Sequence, residues 1–507
     1  MEVIKKNLYW VAVVGVGILS LFFSYYGVMV HHYVIAPGDD TYVHLRNIIA
    51  IAQHGAPAFG TSYPPGFYWL VLGVSKLTHS GILPAYTYTA PILLPLSGLV
   101  IWWLAETLYG RTVALVVYGL YALVSLQPLQ TYYDGTLPNI TAASILMPLA
   151  FTFFIKTLPS PHLTVRKRLS WLALGLLTSA LIFYTHHLTV LVFVGVMAPW
   201  AALLAILYAR RAHRPLVLVG AVVGVLAAAS LTIWAFFTLS LFGPARGVVL
   251  EFATFTNQFP YFHPLKGSGV SQWTLGAISG LIGGVILRCG LAGLVVILAR
   301  LRSFPKRMRL GTILILLWLL LYLVGSHYQW SGEPTRLARD MAMPLSILAG
   351  WFIVEFVGWL RRYSIVAQAI AIILILGMSL AVAHLRAKQE MDYSPMVRFS
   401  QSDQVAYDYL LDHHLTSETT ILTDEPIWEQ VVAARGQQGT FVHIHDSLDS
   451  SVVPSTACYL TGWYLPGVWP ASYADHATAD VYLNDPTYTV EATFTDPIKV
   501  NYLICKL

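Results

Sequence analysis

The chain has 507 residues, of which 56% are hydrophobic and only 11% charged, and its mean hydropathy is +0.63. Soluble domains carry roughly 25% charged residues, so this composition excludes an ordinary cytosolic protein and a disordered chain, and three cysteines exclude a disulfide scaffold. The net charge of +5 hides a division: residues 385–507 hold 16 Asp/Glu against 6 Lys/Arg, whereas residues 1–384 hold 24 Lys/Arg against 9 Asp/Glu. The expected organisation is a basic, apolar body (1–384) followed by an acidic, soluble tail (385–507).

A bilayer span takes about 20 mostly apolar residues. Eleven stretches qualify: 8–30, 84–107, 112–128, 139–157, 170–185, 188–208, 215–242, 272–299, 310–327, 341–360 and 364–384. With the N-terminus inside, every inner connection is basic. These connections carry Lys5/Lys6, Arg111, Arg166-Lys167-Arg168, Arg210/Arg211/Arg214, the run Arg300, Arg302, Lys306, Arg307 and Arg309, and Arg361/Arg362. That is the positive-inside bias, and the loss of one span would reverse every later loop. The fold class read from this pattern is a polytopic α-helical membrane protein of about eleven transmembrane helices, N-in and C-out, with a C-terminal extracytoplasmic α/β domain. The first span is too long for a signal-peptide core and lacks a small-residue cleavage site, so it reads as a signal anchor. Six of the nine acidic residues of the body (Asp39, Asp40, Asp134, Glu251, Glu333 and Asp340) fall in outer connections. Two readings stand: solvated loop decoration, or one outward-facing cavity lined by carboxylates.

The first outer loop, 31–83, is the longest of the body. Pro37-Gly38 breaks the chain, and Asp39 or Asp40 then caps a helix from about Thr41 to Gln53 that ends at Gly55. Leu45, Ile48, Ile49 and Ala52 form its apolar stripe, as in an amphipathic helix lying on the membrane surface. Asp40 and His44 share one face and Tyr42 and Arg46 another. Tyr63-Pro64-Pro65-Gly66 makes a rigid break before a second short apolar helix, Phe67 to Leu77. Capping needs one Asp; the second, with His44 and Arg46 beside it, is left unexplained.

Two Asp just after the first span, in an outer loop built of two interfacial helices, resemble the GT-C superfamily of integral-membrane glycosyltransferases. The stretch Asp39-Asp40-Thr41-Tyr42-Val43-His44-Leu45-Arg46 is similar to the acidic motif and following Tyr-His-Leu-Arg of oligosaccharyltransferase catalytic subunits. Tyr63-Pro64-Pro65-Gly66 and the helix after it look like the protein O-mannosyltransferase and lipid A aminoarabinose transferase branch. The likeness is best over the N-terminal ~160 residues. It implies a polyprenyl phosphate sugar donor, used at the outer face of the membrane with inversion, and a lipid, glycan or protein acceptor. A Trp-Trp-Asp-Tyr-Gly motif, the peptide-acceptor mark of oligosaccharyltransferases, does not occur, so N-glycosylation of sequons is not expected.

That chemistry asks for a carboxylate base, cations or a metal on the leaving phosphate, and an apolar groove for the prenyl tail. Asp39 and Asp40 supply the base. The resemblance places a second acidic motif in the loop Thr131-Tyr132-Tyr133-Asp134-Gly135, where Asp134 matches as a lone Asp; a simple Asp-Gly turn accounts for it equally. The last outer loop contains Glu333-Pro334-Thr335-Arg336-Leu337-Ala338-Arg339-Asp340. Arginines there run against the positive-inside bias, and Arg336 and Arg339, three apart, share a face. Guanidinium forks match phosphate oxygens, and family members carry an Arg just before this late span. The alternative is a salt bridge with Glu333 or Asp340. His186 and His187 end span five; adjacent His on a regular helix do not face one metal, so one lining the cavity or a plain interfacial pair are the two readings. A divalent metal stays open, since a pyrophosphate donor profits from one and a monophosphate donor beside arginine manages without.

In the tail, Ser402 caps a helix with Val405, Ala406, Tyr409 and Leu410 on one face. Thr419 to Thr423, Phe441 to His445, Ala457 to Leu460 and Val500 to Cys505 alternate as strands, and Asp424-Glu425-Pro426 opens a second helix to Ala434. His443 and His445, two apart on one strand face, are a candidate metal pair. Cys458 and Cys505, on neighbouring strands in an oxidising compartment, are either a disulfide or two buried thiols. The partners expected are the lipid-linked donor, its acceptor and the bilayer, with no nucleic acid. The competing class is a transporter or lipid flippase. Internal repeats and mid-span ionisable residues are its marks; no repeat is seen, and the ionisable groups gather at the outer face.

Overall fold

The computed structural model describes residues 2–30, 34–38, 40–55, 64–159, 163–212, 220, 224, 275–327, 334–391, 399–413, 420–423, 427–435, 440–443, 458–464, 486–495 and 499–506. The predicted span 215–242, the loop 243–271 with Glu251, and Asp39, Tyr63, Glu333 and His445 lie outside them.

Ten helices among the described residues are long and apolar enough to cross a membrane. In chain order the helices are α1 (Glu2–Val30), α2 (Thr41–His54), α3 (Gly66–Thr78), α4 (Ile82–Tyr109), α5 (Arg111–Gly119), α6 (Gln127–Tyr133), α7 (Met147–Thr157), α8 (Val165–Thr185), α9 (His187–Ala212), α10 (Leu275–Ile282), α11 (Gly284–Arg300), α12 (Lys306–His327), α13 (Pro334–Asp340), α14 (Ala342–Leu360), α15 (Ile365–Met391), α16 (Gln401–His413) and α17 (Ile427–Ala434). Each of the ten spans overlaps a predicted stretch. The stretch predicted at 272–299 divides at Gly283 into α10 and α11, and the crossing span is Gly284–Ser303.

Two spans are interrupted by π-helical segments. Leu120–Val124 follows α5 and Ile140–Leu146 precedes α7. They flank α6 and the turn after it, so the chain leaves regular helix on both sides of Asp134. Such segments are frequent at functional sites. Arg386, at the end of the last span and buried, donates to the carbonyls of Ala122 (2.7 Å) and Ser125 (2.8 Å). It thereby ties the last span to the end of the first π-helical segment.

A large apolar core fills the bundle, with Phe151, Trp318, Ile315 and Leu348 among its fully buried members. At the end of the bundle that carries the first outer loop, a second core joins body and tail. Leu45 and Ile48 of α2, Phe67 and Tyr68 of α3 and Tyr86 of α4 belong to it, as do Phe399, Leu410, Trp428 and Val431 of the tail. This corrects the expectation for α2. Its stripe does not rest on a membrane surface: α2 lies against α3, α4 and the tail helix α17. Leu45, Ile48, Ile49 and Ile51 are buried in protein, and Ala52, assigned to the stripe, is exposed. The tail supplies the apolar partner that sequence periodicity alone leaves unnamed.

The tail sheet has five strands, β1 (Thr420–Thr423), β2 (Thr440–His443), β3 (Cys458–Tyr464), β4 (Tyr488–Thr495) and β5 (Lys499–Lys506), in the order β2-β1-β3-β5-β4. β2, β1 and β3 run parallel; β5 is antiparallel to β3 and β4. Strand β4 is an addition to the four predicted; it is mostly exposed and lies on the sheet edge, so its alternation is weak. The start of α16 also differs. Asp403, not Ser402, accepts from the Ser400 N–H (2.6 Å), and Val405 is exposed. Lys499 reaches the same carboxylate (3.0 Å) from β5, both side chains fully buried, and Asn501 adds a 2.9 Å bond. A buried pair with its remaining positions bonded locks strand to helix in one register.

Cys458 and Cys505 face each other across β3 and β5 and form a disulfide. The cross-link closes a loop of 47 residues' separation, worth up to ~4 kcal/mol in the chain-entropy model. Alkylation of the unreduced, denatured protein is expected to modify only Cys289, and reduction to expose two more thiols by mass spectrometry. Three alkylated cysteines before reduction would be the contrary result.

Candidate active site

The site is built by two loops and one short helix. The first loop ends in Gly38, at φ +125°, and the second holds Gly135, at φ +74°. Both angles favour glycine. A Cβ on Gly38 would lie 2.1 Å from the Gly135 nitrogen and 2.2 Å from its Cα, so the two loops touch backbone to backbone. The Asp40 N–H donates to the Asp134 carbonyl (3.3 Å), and the Thr41 N–H donates to the Gly38 carbonyl (3.2 Å). Two aspartates 94 positions apart in sequence are thus held side by side by contacts that involve no side chain.

Helix α13 lies over this clasp. Arg336 Nη2 is 3.2 Å from Asp40 Oδ2, and Arg339 Nη1 pairs with Asp134 Oδ2. The three-residue spacing puts both guanidinium groups on one face, and the face is presented to both acidic loops. The side chains are 15% and 30% exposed for Arg336 and Asp40, and 5% and 39% for Arg339 and Asp134. Asp340, buried behind the arginines, accepts from Gln127 Nε2 (2.7 Å), whose Oε1 in turn accepts from the Tyr121 hydroxyl (2.9 Å). So α13 is fixed to α6 through Asp340–Gln127, and α6 ends at Asp134.

The sequence assigned the arginines to a phosphate or to a salt bridge with Glu333 or Asp340. Among the described residues the structure pairs them with Asp40 and Asp134, two of the other acidic residues singled out; Glu333 lies outside those residues. Asp40 does stand at the start of α2, but its backbone is helical (φ −76°, ψ −5°) and its side chain makes no cap hydrogen bond; the carboxylate goes to Arg336. His44 is fully buried with Nδ1 3.2 Å from the Tyr68 hydroxyl, which also accepts from Asn47 (2.9 Å). On α2 His44 shares a face with Asp40, and its bond to Tyr68 ties α2 to α3. Burial, and next the positive charge of Arg336, pull its pKa down to about 3, so the ring stays neutral at working pH. Tyr42 is half-buried against the second core and Arg46 is exposed.

His186 is buried, and its Nδ1 meets the Thr189 hydroxyl (2.9 Å) and accepts from the Thr189 N–H (3.4 Å). That nitrogen caps α9. The side chain of His187, like those of His443 and His445, is outside the described part. Residues that sequence reasoning passed over are Gln127, Tyr121 and Arg386; a Gln and an Arg at the ends of apolar spans were the available signal.

Among the described residues, one group of three His, Cys, Asp or Glu ligand atoms lies within 4.8 Å: Cys458, Glu491 and Cys505. Its sulfurs are joined in the disulfide, so it is no metal centre in this state. Asp40 and Asp134 each commit an oxygen to a guanidinium. What the arrangement offers chemically is two carboxylates and two cations in alternation, partly open to solvent, over a buried third carboxylate. The opposite end of the body carries different chemistry: Arg111 pairs with Glu106 (3.4 Å), Arg300 with Glu355 (3.0 Å), and Lys156 Nζ sits over the rings of Trp103 (4.3 Å) and Trp171 (4.6 Å).

No family model matches the chain, and no curated protein matches it in sequence. Solved structures do match in fold. ArnT from Cupriavidus metallidurans, bound to undecaprenyl phosphate, superposes with a TM-score of 0.57 at 15% identity, over 98% of this chain and 98% of that one. The apo oligosaccharyltransferase of Archaeoglobus fulgidus gives 0.55 at 14% identity, over 87% of this chain and 65% of that one. The archaeal enzyme AglB, in complex with an inhibitory peptide and a dolichol-phosphate, gives 0.52 at 16%. This chain therefore spans slightly less than two thirds of the archaeal enzyme's length and nearly all of ArnT's. At these identities the likeness is one of architecture: the chain shares the fold of ArnT and of the archaeal oligosaccharyltransferase.

Proposed function

We propose that the protein is a glycosyltransferase that moves a sugar, with inversion, from a polyprenyl-phosphate-linked donor to an acceptor at the outer face of the membrane. The observation that carries this reading is the convergence of Arg336 and Arg339 on the loops of Asp40 and Asp134 at one end of the bundle. The fold shared with ArnT bound to undecaprenyl phosphate, and with AglB bound to a dolichol-phosphate, supports a phosphate on a long isoprenoid as the ligand class. Nothing in that fold favours a transporter.

In the reaction an acceptor oxygen attacks the anomeric carbon, the bond from that carbon to the phosphate oxygen breaks, and its electron pair leaves with the phosphate. The acceptor proton passes to the Asp39-Asp40 pair. Asp39, nearer the turn, is the base; Asp40, next to it, positions it. Arg336 neutralises the departing phosphate, and Arg339, nearly closed in against Asp134, fixes the frame. Lipid, glycan and protein acceptors all supply the required hydroxyl. Purified protein incubated with a panel of radiolabelled polyprenyl phosphate sugars is expected to consume at least one of them; consumption of none would overturn the reading.

Arg336→Ala is expected to weaken donor binding by ~1.5–3 kcal/mol, the worth of a charge-assisted contact. Arg336→Lys should restore only part, because a point charge replaces the fork. Equal donor affinity in wild type and Arg336→Ala, by equilibrium binding, would leave this residue a purely structural ion pair.

The same proposal places the N-terminus inside and the acidic tail, 385–507, outside as an accessory domain that helps to hold the site or its acceptor. Protease added to right-side-out vesicles is expected to remove the tail; a protected tail would put the site on the wrong side.

A further inference from the structure

Both arginines of the site are already engaged by carboxylates. Arg336 and Arg339 face Asp40 and Asp134, with Asp340 buried directly after Arg339 in α13. Among the described residues two cations here face three carboxylates, and a phosphate that takes the Arg336 nitrogen now facing Asp40 does so in competition with that carboxylate. The two pairs differ in how readily they yield. Arg339 is 5% exposed, and its partner Asp134 sits on the turn clamped to Gly38. Arg336 and Asp40 are 15% and 30% exposed. At the start of α2 the Asp40 backbone is helical and its side chain makes no cap hydrogen bond, so capping does not hold the carboxylate in place.

We propose that the donor phosphate displaces Asp40 from Arg336, so that the carboxylate and the lipid phosphate compete for one guanidinium and Asp40 is released toward Asp39 and the acceptor only when the donor is in place. The proposal rests on the polyprenyl phosphate reading above. A phosphate offers a guanidinium two oxygens in fork geometry, and its charge then repels the carboxylate it has replaced. The pair acts as a latch: Asp40 is held on Arg336 in the empty site and turned to the acceptor in the loaded one. Donor binds first, and Asp40 opposes the binding of a ligand whose reaction it serves.

Competition and cooperation give opposite signs in one double-mutant cycle. Undecaprenyl phosphate binding is measured on the purified full-length protein and on Asp40→Asn, Arg336→Ala and the double variant, each checked for a wild-type unfolding midpoint. Asp40→Asn is expected to tighten binding by about five- to tenfold, inside the range seen for directly coupled residues. The gain is expected to vanish when Arg336 is already alanine. Asp40→Ser carries the same expectation and replaces the Asn variant should that one fail to fold. Unchanged or weaker binding in Asp40→Asn, with wild type binding normally, overturns the latch and leaves the donor reading intact. A gain that persists without Arg336 overturns competition for that guanidinium. Absence of undecaprenyl phosphate binding by wild type overturns both the latch and the lipid phosphate reading.

Discussion

Asp39→Asn is expected to yield a protein that folds, inserts and binds donor, yet turns over ~10²–10⁴ more slowly, the usual contribution of a positioned base. Asparagine keeps the shape of the side chain and removes its capacity to take a proton. Asp40→Asn should also lose turnover, through loss of orientation at its neighbour. The backbone of the loop is not at stake in either variant, because the clasp that presents it is made of main-chain groups: the Asp40 N–H to the Asp134 carbonyl, and Gly38 against Gly135. Donor affinity and turnover therefore separate. A carboxylate that merely supported the fold would change the unfolding midpoint along with the rate. Wild-type turnover by both variants in a donor-consumption assay would show that the chemistry lies elsewhere.

Much of this site is legible along the chain, and the illegible part has a physical cause. Asp40, Asp134, Arg336 and Arg339 stand out because each is ionisable, lies at the end of an apolar span and falls on the same side by the alternation of spans. Composition and the positive-inside pattern suffice to bring them to one end of the bundle. They do not fix which cation meets which anion. The pairing depends on two glycine turns meeting backbone to backbone, a contact for which a sequence carries no periodic signal. Asp340 was counted with the outer carboxylates, but its partner Gln127 reads as one polar residue at the close of an apolar run. His44 is a related case. Helical spacing places it beside Asp40, and what decides its bond is Tyr68, reached across α3 rather than along α2. The environment of α2 was also beyond sequence periodicity, which marks an apolar face without saying whether lipid or the helix α17, some 380 residues later, covers it.

Gly38→Ala is expected to damage the site most among changes that leave every ionisable group in place. The cost has two parts. The first is conformational: at φ +125° an L residue is strained, typically by ~1–3 kcal/mol. The second is collision. The new methyl carbon would sit 2.1–2.6 Å from the Gly135 nitrogen, the Gly135 Cα and the Asp134 carbonyl carbon, and backbone atoms cannot rotate aside as a side chain does, so overpacking adds ~1–3 kcal/mol. Either the turn at 134–135 moves, carrying Asp134 away from Arg339, or the first loop does, carrying Asp40 away from Arg336. In both events one of the two ion pairs is lost, and turnover should fall with the stability. Gly55→Ala is the control, since Gly55 also has a positive φ, +79°, but nothing lies within 4 Å of its added Cβ. It bears a conformational cost without the collision. Unfolding midpoints and donor consumption measured on the two variants side by side isolate the clasp: a much larger loss in Gly38→Ala is expected, and equal losses would mean that the contact between the two loops does not hold the carboxylates together.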